Sequence, residues 1–173
     1  MESGAADPFI RLALPFEALT GFGLLTAAVS WFMQIYPALA RRRALAIRLS
    51  ILDDSEFAEQ LPDLKTATST RTLEGLAGDI VQIRVDFTQT AESYYFREST
   101  ARTSLAASLS YAVDISRAAL DSDRNDVVLV GSVLQGSLQD LASFLRLEFL
   151  SADEGVEETF TAYAASHRYP YRQ

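Results

Sequence analysis

The residues able to do chemistry are few and far apart. His167 is the only histidine and the chain has no cysteine. That removes thiolate nucleophiles, disulfides and thiolate metal sites, and one histidine builds neither a triad nor a histidine-rich metal centre. His167 also stands near the C-terminus, where residues 167–173 read as a tail. Asp153, Glu154, Glu157 and Glu158 gather carboxylates of the kind calcium accepts, but without the alternating spacing of an EF-hand loop. The acidic first turn of a helix accounts for them more simply. Tyr94-Tyr95-Phe96 offers rings that would stack on a ligand, and fits core packing at a helix end better. No phosphate-cradling glycine loop, nucleophile elbow or dinucleotide fingerprint occurs. An enzyme is not expected, and no metal or cofactor is called for.

Charge is more informative. The formal balance of the 173 residues is −8, yet Arg41, Arg42 and Arg43 are consecutive. From Ala44 onward there are 11 basic and 20 acidic residues. So acidic a portion repels phosphates, which excludes a nucleic-acid partner. Lys65 is the only lysine against 14 arginines, a bias of composition rather than of chemistry.

The arginine triplet follows the most apolar part of the chain. Residues 18–40, ALTGFGLLTAAVSWFMQIYPALA, form a run of 23 without an ionisable side chain. At about 1.5 Å per residue, the stretch from Ala18 to Tyr36 extends roughly 28 Å, close to the hydrocarbon thickness of a bilayer. Thr20, Thr26 and Ser30 can return their hydroxyls to the preceding turn and so cost little in lipid. Trp31 and Tyr36 suit the headgroup level, Pro37 falls near the exit, and the arginines mark the cytoplasmic side. The reading is a single pass through the cell inner (plasma) membrane, lipid bilayer as partner, with the C-terminus cytoplasmic. A cleaved signal peptide would carry its basic residues before the run, and a surface helix would need a polar face. A core helix of a soluble protein is seldom apolar for this length.

Within the span, Gly23, Ala27 and Ser30 recur at spacings of four and three, with Gly21 close by. Small residues allow close helix packing, and glycine also provides a bend point. Glu17, preceded by Pro15 and Arg11, is either an interfacial charge or an acidic group at the outer mouth of a cation pathway.

The string from Phe16 to Thr26, FEALTGFGLLT, followed by Ser30-Trp31 and Ile35-Tyr36-Pro37, resembles the inner, pore-lining helix of bacterial two-transmembrane potassium channels. The resemblance covers about residues 8–50. It implies an inner helix beginning after a filter loop, a basic cluster at Arg41 to Arg43 where that helix leaves the membrane, and a homo-oligomer, a tetramer if channel-like. No filter sequence or outer helix is recognised, and Gly21-Phe22-Gly23 lacks the flanking residues of a filter. The resemblance therefore implies a partial channel, the inner helix plus cytoplasmic region, that does not conduct alone and meets potassium only in a complete channel. The alternative is a single-span anchored helical bundle that binds a partner protein.

The remainder reads as all-α, an antiparallel cytoplasmic helical bundle after one transmembrane helix. Residues 44–52 continue a helix with Leu45, Leu49 and Leu52 on one stripe, broken by Asp53-Asp54-Ser55. Leu61-Pro62-Asp63 is a stop and 63–70 a polar connector. Further helices are expected over 70–95, 99–120 and 126–149. Ser151 and Glu154 have the spacing of a capping box before a last helix reaching residue 166. The divisions are an N-terminal segment 1–11, the membrane segment 12–40, a basic anchor and juxtamembrane helix 41–62, and the acidic helical domain 63–173.

Overall fold

The computed structural model of the chain describes residues 8–150 and 155–169. Among these the fold is all-α. Six helices follow in order: α1 (Pro8–Asp54), α2 (Phe57–Gln60), α3 (Thr66–Gln89), α4 (Leu105–Leu120), α5 (Asn125–Glu148) and α6 (Val156–Ser166). Two 3-10 turns, Ala91–Tyr95 and Ala101–Thr103, lie between α3 and α4. The chain divides into two compact units, Met1–Pro37 and Ala38–Gln173.

In the first unit the polar side chains behave as an apolar setting requires. Thr20 donates to the carbonyl of Phe16 at 2.8 Å and Thr26 to that of Phe22 at 2.9 Å, so neither hydroxyl needs an outside partner. Phe22 is 69% exposed and Leu24 68%. Trp31, Phe32 and Met33 are also exposed, and consecutive helical positions lie about 100° apart, so the apolar surface goes round the helix. By length and composition α1 is able to cross a membrane. Helix α5 meets the same measure, but its Val127, Leu134, Leu141 and Leu145 are fully buried, while Leu129, Val133 and Leu147 are exposed.

In the second unit the apolar stripes of the helices form the core. Leu45 and Leu49 of α1, Leu73, Leu76, Ile80, Ile83 and Phe87 of α3, and Leu109 and Ala112 of α4 are buried together with the α5 residues. Helix α1 ends at Asp54, as its acidic pair suggested, and Glu56 then takes a left-handed conformation with φ 52°. Gly131 of α5 lies against α4, where an added Cβ would stand 2.7 Å from the Ala119 Cβ. Gly136 has open space around it.

Two expectations are corrected. Helix α3 begins within the supposed connector and stops at Gln89 rather than 95, and α4 starts at Leu105 rather than 99. Residues 90–104 instead form the two 3-10 turns and extended backbone, which frees main-chain carbonyls that a continuous helix would consume. The four-residue connection after α4 makes α4 and α5 a helical hairpin, and α3 and α5, on either side of α4 in the chain, run in the same direction. At one end Arg124 donates to the carbonyls of Leu61 and Leu64. At the other, Arg84 pairs with Asp140 at 3.3 Å and Phe87 meets Phe149. The second correction is His167, which is 5% exposed rather than part of a free tail. Of the capping-box pair, Ser151 and Glu154 lie outside the described residues.

Candidate arginine-centred site

Consecutive side chains on a helix fan out by about 100°. Arg41, Arg42 and Arg43 therefore reach three different stretches of chain. Arg41 grips α3: its Nε and Nη2 donate to the two carboxylate oxygens of Asp86, both at 2.7 Å. Asp86 is 3% exposed and also accepts from the Gln82 amide at 3.1 Å. The hydrogen-bonded carboxylate raises the Arg41 pKa above its ordinary value against the opposing effect of burial. Arg42 is itself buried and donates to the carbonyls of Ser93 and Phe96, the latter at 2.7 Å. Its guanidinium carbon stands 5.7 Å from the centre of the Phe87 ring, a cation–π arrangement. Arg43 Nε contacts both carboxylate oxygens of Glu98 at 2.9 Å. One helical turn thus binds the end of α3, the 3-10 turn and the strand-like stretch after it.

The C-terminal end of α6 closes on the same stretch. Tyr94 stacks on Phe149 with centroids 4.2 Å apart and planes 5° from parallel, and Tyr163 packs edge-on to Phe87. Tyr169 donates to the Glu98 carbonyl at 2.6 Å. The His167 Nε2 lies 2.8 Å from the Tyr94 carbonyl, and its Nδ1 is 2.9 Å from the Ser166 hydroxyl and 3.1 Å from the Tyr163 carbonyl. A neutral ring with the proton on Nε2 donates to Tyr94 and leaves Nδ1 an acceptor beside the Tyr163 carbonyl, whereas the protonated ring donates to both carbonyls.

Burial lowers the His167 pKa below 6.5, and the charges of Arg42 and Arg97 push the same way, while the two carbonyls push back. Tyr94 and Tyr163, the other titratable groups against it, are both raised by burial. Because the folded value is the lower one, the unfolded chain binds more protons below pH 6.5. The contribution of neutral His167 is therefore complete above that pH and is lost as pH falls through and below it. Thermal melts between pH 8 and 5 should show this decline, and His167→Gln should flatten it. An unchanged slope in the variant would assign the decline to other groups.

The sequence-marked residues separate into two sets. The arginines and the Tyr94-Tyr95-Phe96 run meet in one place. Gly21, Gly23, Ala27, Ser30, Glu17, Trp31 and Tyr36 are exposed along the first part of α1. An added Cβ at Gly21 or Gly23 meets nothing within 4 Å. Among the described residues, no group of three or more histidine, cysteine or carboxylate side chains is placed to hold a metal. Glu157 instead pairs with Arg117 at 2.5 Å. Comparison of the chain with protein-family models, curated proteins and solved structures found no match.

Proposed function

We propose that this chain is a membrane component of a potassium-channel-like protein, with α1 as inner helix and residues 38–173 as a cytoplasmic domain fastened to its membrane exit. The observation that carries the reading is the exposed apolar surface around α1, continued by a helical turn whose three arginines are all engaged by the following domain. Monomeric soluble proteins rarely leave so extensive an apolar surface uncovered. In this reading lipid and neighbouring inner helices cover it, and changes in the domain bias the helix through the arginine turn. Extraction of membranes with alkaline carbonate tests the span, and cross-linking in membranes tests the tetramer. Release into the soluble fraction would defeat both.

The same uninterrupted helix also suits a second reading, a single-span anchored bundle that binds a partner protein. Within the channel reading, Gly23→Ala separates a bending gate from a packing contact. Restoring a Cβ should stiffen α1 by about 0.5–1 kcal/mol. In a complete channel containing this segment, a gate that bends at Gly23 then opens several-fold less readily. Single-channel recording beside a tetramer assay reads this. Loss of tetramer with normal opening in the survivors would leave Gly23 as a packing residue.

A further inference from the structure

Two ion pairs fix the direction of α3 against the second-unit part of α1. Arg41 pairs with Asp86 and Arg48 with Asp79. Seven residues forward on α1 are thus seven residues back on α3, and the two run antiparallel. Going back along α1 from Arg41 therefore means going forward along α3, past Asp86 to its end at Gln89. At about 1.5 Å per residue that end is level with Ala38. The 3-10 turn Ala91–Tyr95 follows, pinned there because Arg42 donates to the carbonyls of Ser93 and Phe96. Phe149, just after α5, stacks on Tyr94, and His167, just after α6, lies against the Tyr94 carbonyl. One end of the domain thus gathers beside the residues where the apolar run gives way to the arginines.

This end carries the two most exposed large apolar side chains among the described residues of the second unit. Leu147 is 78% exposed and Tyr95 71%, and Phe96 follows Tyr95 at 41%. Tyr95 is kept in place by edge-on packing against Tyr94 and Phe149. Charge changes sign there as well. Arg97 and Arg168 are exposed and enter no ion pair among the described residues. With Arg42, which carbonyl oxygens hold, they stand against the exposed acids Glu92 and Glu148. Over the whole stretch from Ala44 onward acids prevail, 20 against 11 basic residues. Exposed aromatic rings beside unpaired arginines suit a membrane–water interface, where each has an apolar body and a polar tip to place.

We propose that this end of the domain docks on the headgroup layer of an anionic bilayer, with Tyr95, Phe96 and Leu147 entering the interface and Arg97 and Arg168 meeting lipid phosphates. The occupant of the surface is lipid, and the inference rests on the reading of α1 as a span. Attraction between an arginine and a charged surface fades within a Debye length, about 10 Å at 0.1 M salt. Arg97 therefore gains from the lipid only where the turn is already held close to it. The Arg42 bonds supply that hold, since one of them ends on the carbonyl of Phe96, the residue before Arg97. Anionic lipid in turn steadies the 3-10 turn, and through Arg42 the helical turn of α1 that grips it.

The chain has no cysteine, so single cysteines can be introduced and labelled with the fluorophore NBD. The variants are Tyr95→Cys and Leu147→Cys at this end, Leu129→Cys towards the Arg124 end, and Leu24→Cys in the apolar run, all at exposed side chains. The full chain is reconstituted into vesicles of phosphatidylcholine and phosphatidylglycerol in which some lipid carries a nitroxide on its headgroup or its acyl chain. Headgroup nitroxide should quench the Tyr95→Cys and Leu147→Cys labels several-fold more than the Leu129→Cys label. The excess should fall when phosphatidylglycerol is left out, and when Arg97→Gln and Arg168→Gln are combined with Tyr95→Cys. Quenching no stronger than at Leu129→Cys, with the Leu24→Cys label quenched by acyl-chain nitroxide, overturns the docking and leaves the span standing. A Leu24→Cys label that lipid does not quench removes the span, and the docking with it. Blue-shifted emission from Tyr95→Cys without lipid quenching also overturns the proposal, because protein, a second copy or a partner, then covers this end. Quenching indifferent to phosphatidylglycerol and to the two arginines overturns the phosphate contact.

Discussion

Arg41→Ala lowers the stability of the helical domain by about 3–5 kcal/mol, while Asp86→Asn, at the other end of the same ion pair, costs only about 1–2 kcal/mol. The asymmetry follows from exposure. The Asp86 side chain is 3% exposed and that of Arg41 46%. Removing the arginine strands a buried carboxylate with only the Gln82 amide to solvate it. Removing the carboxylate charge leaves a guanidinium that water can reach. The double variant Arg41→Ala with Asp86→Asn should therefore be more stable than Arg41→Ala alone, since the stranded charge has gone. Urea unfolding of the full chain in detergent, at fixed salt, measures all three. Equal losses in the two single variants would mean that Asp86 is hydrated after all.

What was legible beforehand follows from periodicity. The α3 stripe from Leu73 to Phe87 is apolar at helical spacing, and every member is buried. The same spacing marks Leu134, Leu138, Leu141 and Leu145 in α5. The break at 90–104 was not legible. Residues 90–95 carry no proline or glycine, and the helix is interrupted where Arg42, some fifty positions earlier, takes up the Ser93 and Phe96 carbonyls. A non-local competitor leaves no trace in a window of local sequence.

The arginines were legible as charge but not as contacts. Three consecutive basic residues after an apolar run carry a topological meaning of their own, which hides a second use. Asp86 held the available signal: a carboxylate beside Phe87 and one turn beyond Ile83, on the buried face of an amphipathic helix, requires a cation from elsewhere. His167 carried one too. Phe160, Tyr163, Ala164 and His167 continue a single helical stripe, and all four are buried. The composition of the last residues suggested a tail because a stripe of four is short, not because the pattern was absent.

Reversing the triplet, with Arg41, Arg42 and Arg43 all changed to Glu, should invert or scramble the orientation of the chain in the membrane, because only Arg11 stands on the other side of the apolar run. That variant also breaks every contact of the arginine turn, so altered protease sensitivity alone would not identify the cause. The two uses can be separated by their order in the chain. Asp86 and Glu98 lie 45 and 55 residues after their partners, so the arginines are synthesised before anything can neutralise them. If α1 spans the membrane, their charge would set the orientation before their packing forms. A swapped variant therefore isolates the first. Arg41→Asp with Asp86→Arg and Arg43→Glu with Glu98→Arg preserve two opposite-charge pairs but leave a net negative charge at the membrane exit. In sealed vesicles the domain of this variant should change sides, with loss of most of the protection pattern shown by the wild type, while retaining a cooperative melt. The triple reversal should change sides and lose the melt. Wild-type protection in the swapped variant would defeat the orientation argument, and the apolar span would then insert by a rule that does not read these arginines.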